Sequence, residues 1–157
     1  CDSIFTNISY TESMASGMST FMNDVRKVSR AVRLTHRRSL LIFDEFGKST
    51  LNTDGLALLA SILLYLKALK SPPIAFISTH YHTLPKLIIP TRLFKFLTMG
   101  YSCQDKEILY LYQVIEGTVS SSLAIKVSHS AGLPDSIINR VLHIQKCMET
   151  GKKLLPI

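Results

Sequence analysis

The chain has 157 residues, with 18 Lys and Arg against 11 Asp and Glu, a formal charge of +7, and 46% apolar residues. A chain this long and this apolar buries an ordinary core, which excludes intrinsic disorder. Three widely spaced cysteines, Cys1, Cys103 and Cys147, with no C-x-x-C pair, exclude a disulfide scaffold and a zinc ribbon, and point to reduced thiols in a cytosolic or nuclear protein.

Ile4 to Ile8 reads as a short strand, and Ser9 to Ser19, rich in Ser, Thr and Met, as a loop. Phe21, Val25, Val28 and Val32 recur at helical spacing and predict an amphipathic helix from Thr20 to about His36. Arg26, Arg30, Arg33 and Arg37 form a basic stripe beside it, with Ser19 or Thr20 as cap. Leu40 to Phe43 is a continuous apolar run ending in Asp44-Glu45, as expected of a strand buried on both faces of a parallel sheet. Thr53-Asp54 opens a helix to about Leu69 that is apolar on nearly every side, and so expected to be buried. Its run Leu56 to Leu66 is shorter than the ~20 residues a membrane span needs.

Ile74 to Ser78 reads as a second buried strand, followed by Thr79-His80-Tyr81-His82. Phe94–Tyr101 and Ile108–Ile115 read as a strand pair turning at Cys103–Lys106. Two helices follow, about Ser122–Ala131 and Pro134–Met148, with Gly132 as stop and Pro134 as the next start. Their apolar faces are expected to be Leu123, Val127 and Ala131, then Ile137, Val141 and Ile144. The alternation predicts an α/β sheet with right-handed crossovers, whose ligands sit at the carboxyl ends of strands.

Asp44, Glu45 and His80 all fall at such ends. A carboxylate at a buried strand tip suits Mg²⁺ held through water, and a second one suits activation of the attacking water. A neutral imidazole there can sense a γ-phosphate. Gly47-Lys48-Ser49 imitates the end of a phosphate loop, G-x-x-x-x-G-K-[ST], but Ile42 stands where the first glycine belongs. A true phosphate loop is therefore expected upstream of Cys1, and the chain, starting at Cys1-Asp2 without Met or signal region, is expected to be part of a longer polypeptide. Ala15 to Thr20, just before a helix, has the hydroxyls and amides of an anion site. His80-x-His82 matches a spacing that metal hydrolases use, which leaves a metal-dependent hydrolase as an alternative.

As an ordered set these stretches resemble the C-terminal part of the MutS family ATPase domain, an ABC-type P-loop fold. The resemblance rests on Ile4-Phe5-Thr6, Ser16 to Met22, Ser39 to Gly47, Thr53 to Ala57, Ser78 to Tyr81 and Ala131 to Pro134. Asp44 to Lys48, Asp54 to Ala60, Leu97 to Met99 and Gln113 to Gly117 resemble the meiotic branch of the fifth type more narrowly. The resemblance implies an incomplete ATPase domain over 1–118, and a helix-turn-helix dimerisation segment with tail over 119–157. No basic recognition face stands out in those last helices, so they are not expected to read DNA. Asp44 would hold Mg²⁺ through water, Glu45 would be the base for water, and His80 the switch residue. Gly17, Ser19 and Thr20 would form a signature loop serving the partner's ATP, and Lys48, Ser49 and Thr50 a loop between the two sites. Ser49 replaces a glycine usual in the family, and Ser120 to Ala124 lacks another.

The implied function is ATP-dependent clamping of recombination intermediates in a heterodimer, with the fourth-type meiotic homologue as partner, promoting crossovers on meiotic chromosomes in the nucleus. Double-stranded or branched DNA would be held by domains outside this chain, with no membrane involved. Alternatives are a mismatch-repair homologue and a non-hydrolysing dimerisation module that acts in trans.

Overall fold

The computed structural model describes residues 1–8, 19–89, 91–104, 107–118 and 123–151. They form two compact units, Cys1–Phe94 and Lys95–Ile157. The first contains β1 (Ser3–Asn7), α1 (Thr20–Leu34), β2 (Ser39–Asp44), α2 (Asn52–Ala68), β3 (Ile74–Ser78) and the short α3 (Leu84–Leu87). The loop expected before α1, including Gly17, lies outside the described residues.

β1, β2 and β3 make a parallel sheet in that order, with Ile4, Leu40 and Ile74 level across it. Two right-handed crossovers stepping in the same direction put both helices on one side. That side holds the core: Leu41, Phe43, Ser39 and Asn7 are buried, as are Val28 and Ala31 of α1 and Leu59, Leu63 and Leu66 of α2. The other side carries Ile4, Leu40, Ile42, Ile74 and Phe76, and the described residues leave it open; Phe76 is 60% exposed.

This arrangement corrects three expectations. β2 is fully buried on the helix side only, since Leu40 and Ile42 on the other face are half-buried. β3 is not a buried strand: only Ile77 is half-buried and the rest are exposed, because it is an outer strand of the described sheet with a single neighbour. α2 is not buried all round either. Leu58, Leu64 and Tyr65 face outward because a helix lying on one sheet covers a single stripe. On α1 the buried stripe is Asp24, Val28 and Ala31. Phe21, Val25 and Val32 are half-buried at its margins, so the helix is rotated from the orientation that its valines suggest.

The second unit contains β4 (Leu97–Gln104), β5 (Glu107–Glu116), α4 (Ala124–Ser130) and α5 (Asp135–Thr150). β4 and β5 pair antiparallel, with a register shift between Met99 and Tyr101. Gly132, at φ +88, closes α4 as its sequence predicts, and the amide of Leu133 bonds the carbonyl of Ser128. His129 Nε2 lies 3.0 Å from Asp135 Oδ1 and ties the two helices at their corner. On α5 the buried residues are Ile138 and Cys147. Val127 and Ala131 at α4 and Ile137 and Val141 on α5, all expected to pack, are exposed, so the two helices do not meet through these faces. Among the described residues no helix is long and apolar enough to cross a membrane.

Candidate functional site

The carboxyl edge of the first unit's sheet brings two loops together. β2 delivers Asp44 at its last position, level with Ser78 at the end of β3. The Ser78 hydroxyl donates to Asp44 Oδ1. It also accepts from the backbone N–H of Glu45 at 3.2 Å, a donor that the Ser78 carbonyl shares at 3.2 Å. One serine thus holds both halves of the Asp44-Glu45 pair. Glu45 sits at φ +46, a left-handed conformation in which its Cβ crowds the backbone, and the Ser78 bonds help to keep it there.

The chain then turns sharply through Phe46 and Gly47, both buried. Lys48 N bonds Glu45 O at 3.2 Å, and Lys48 Nζ lies 2.7 Å from Glu45 Oε2. That hydrogen bond and the charge of Glu45 raise the Lys48 pKa above its ordinary value. Lys48 is therefore engaged inside its own loop, while Ser49 is exposed and Thr50 N bonds Gly47 O at 3.3 Å.

Tyr81 joins the second loop to the first. Its hydroxyl donates to Gly47 O at 2.8 Å, and its ring is buried between Gly47 and Gly55, the latter in the first turn of α2. A Cβ at Gly55 would stand 2.0 Å from the Tyr81 oxygen, and one at Gly47, already at φ +90, 2.9 Å from it. The two glycines form a slot shaped to the phenol. Burial raises the Tyr81 pKa. The exposed His80 ring lies 4.3 Å from the Tyr81 ring, so this slot anchors the loop carrying His80.

Ser19 caps α1, its Oγ accepting from Met22 N at 3.2 Å. Ser19 and Thr20 are both exposed. Asn7, at the tip of β1, is fully buried, and neither polar atom of its side chain has a hydrogen-bond partner among the described residues.

The structure therefore stitches the expected acid loop to the expected histidine loop, and it leaves Ser19 and Thr20 accessible at the start of α1. His80 and His82 do not gather three or more metal-binding side chains among the described residues. Reading the sequence missed Ser78 and the Tyr81 slot. The signal for the slot was present as glycines at 47 and 55 and a tyrosine directly after His80. Asp44, exposed and backed by a hydroxyl, offers the hard oxygen donors that suit Mg²⁺.

A family model described as MutS domain V matches residues 1–149. The chain is 37% identical over 160 residues to MutS protein homolog 5 of Caenorhabditis elegans, covering 99% of this chain and 12% of that protein. It is 33% identical over 156 residues to the DNA mismatch repair protein MutS of Lactobacillus acidophilus, covering 99% of this chain and 18% of that protein. The MutS protein of Clostridium botulinum strain Loch Maree is 35% identical over 156 residues, with 98% and 16% covered. The chain thus spans less than a fifth of the length of these relatives.

Proposed function

The chain belongs to the MutS family, and from that premise we propose that it is the C-terminal part of an ABC-type ATPase domain that hydrolyses ATP only when completed by a phosphate loop outside these residues. The observation that carries the reading is the Ser78 bridge, which sets two adjacent carboxylates at a strand tip beside the loop of an exposed histidine.

Each residue has a task. Glu45 accepts the proton of the attacking water, for which its carboxylate must be presented toward the nucleotide and part from Lys48. His80 donates to a phosphate oxygen or to that water. Tyr81 holds the histidine loop at a fixed distance from the acid loop. Asp44 would hold Mg²⁺ through a water, and the ion, when bound, neutralises phosphate charge. Gly17, Ser19 and Thr20 reach the ATP of the partner subunit, where the start of α1 favours an anion. Lys48, Ser49 and Thr50 lie between the two sites.

Residues 1–118 serve the nucleotide and 119–157 serve assembly. Ile137, Val141, Ile144 and Met148 fall on one stripe of α5. All but the half-buried Ile144 are exposed, a surface suited to a related MutS-homologue subunit. The reading extends to a heterodimer with the fourth-type meiotic homologue. It would clamp branched recombination DNA through domains outside this chain and promote crossovers on meiotic chromosomes in the nucleus. Thirty-seven per cent identity to a relative named homolog 5 supports that branch, and the identities near one third to mismatch-repair MutS proteins keep mismatch repair as the nearest other role.

In the full-length protein with its partner, Glu45→Gln is expected to retain ATP binding and to lower hydrolysis at least ~100-fold. Unchanged turnover would remove Glu45 as the base. The Lys48 bond to Glu45 Oε2 and the side chain at Ser49 favour a second reading, a subunit that acts only in trans. In that case Glu45→Gln changes nothing, and a bulky residue at Ser19 impairs only the partner's site.

A further inference from the structure

We propose that the outward face of α1 is a docking surface for the phosphate backbone of duplex nucleic acid, independent of the nucleotide site. Arg26, Lys27, Arg30, Arg33, Arg37 and Arg38 lie in a stretch, 25–43, that contains no Asp or Glu. Outside it, twelve basic residues nearly balance eleven acidic ones, so almost all of the chain's net charge sits on this helix and the turn after it.

All six basic residues are exposed. Among the described residues no acid pairs with Arg26, Lys27, Arg30 or Arg33, whereas Arg38 is bound to Asp2 at 2.8 Å. At 3.6 residues per turn, Arg26, Arg30 and Arg33 project from the pole opposite the buried Asp24, Val28 and Ala31. They rim a shallow hollow with Val25, Ser29 and Leu34. Arg33 donates to Ser29 Oγ through Nε at 3.2 Å and Nη2 at 2.7 Å, which lays its guanidinium along the helix with donors to spare.

The chemistry selects the occupant. Five of the six are arginines, which grip phosphate oxygens in pairs. No aromatic side chain lies at 25–34, so the surface lacks the stacking platform that single strands need. The apolar side of α1 is already buried against the sheet, so the helix cannot lie in a membrane interface. Three arginines spaced along ~10 Å of helix meet a nucleic-acid duplex bearing one negative charge per ~1.7 Å of axis, dense enough to offer a phosphate to each of them.

The test is the salt dependence of binding by the full-length protein to a perfectly paired linear duplex. Combined Arg26→Gln, Arg30→Gln and Arg33→Gln should lower the slope of log K against log salt by about 2 to 3, and the matching Lys variants should keep most of it. If the triple Gln variant does not fold, Arg30→Gln alone decides, with an expected loss of about 1. An unchanged slope in folded protein overturns the proposal. So does an unchanged slope with weakened binding to a partner protein, which would make an acidic protein surface the occupant.

Discussion

The carboxyl edge of the first unit and the outer stripe of α5 in the second carry opposite kinds of order. At the edge, every turn is pinned: Ser78 bridges Asp44 and Glu45, Lys48 ties back to Glu45, and the Tyr81 phenol fills a slot between two glycines. On α5, Ile137, Val141 and Met148 have little to lean on among the described residues. A group that must aim at a reacting atom needs its angles fixed before the substrate arrives. A group that must meet another surface needs only to be available.

The sharpest way to break this contrast is at Gly55. Gly55→Ala places a methyl group 2.0 Å from the Tyr81 oxygen. Even with the helix gaining from alanine, it should cost about 2 to 3 kcal/mol, seen as a lowered Tm. A neutral result would mean that the slot is soft.

Tyr81→Phe keeps the ring and removes the bond to Gly47 O, which should cost about 1 kcal/mol in denaturant unfolding. Its pH signature separates it from general loosening. Burial raises the Tyr81 pKa, so the folded state favours the neutral phenol. That contribution is fully present below the unfolded tyrosine value and is lost as pH rises through the raised one. The Phe variant should lack this alkaline loss.

At the other pole of the comparison, Val141→Ser should shift the stability of the unpartnered chain by less than ~0.5 kcal/mol. If the proposed assembly holds, it should weaken association with the proposed partner subunit about tenfold, measured by analytical ultracentrifugation. Equal and large effects on both would place Val141 in a core and erase the distinction.

Much of this was legible in the sequence. The run Leu40–Phe43 followed by two acids located the central strand and its tip, because a continuous apolar run ended by charge is a local signature, although only one face of that strand is fully buried. The helix stop at Gly132 was legible for the same reason. Ser78 was not, since its importance arises from the β2–β3 register, which pairs residues 34 apart. The exposure of Ile74 and Phe76 was equally hidden. Apolar composition says that a strand wants cover, but which faces receive it follows from strand order and crossover hand. Asp24 took a core position that the spacing of the α1 valines assigns to them, because helix rotation is set by the sheet beneath.

The left-handed backbone at residue 45 has a further implication. Aspartate, asparagine and glycine tolerate that geometry better than glutamate does. Glu45→Asp would ease the main chain while drawing the carboxylate back by one methylene. Comfort and reach are thus set against each other at a single position, and the longer acid is the choice that gives up stability for extension.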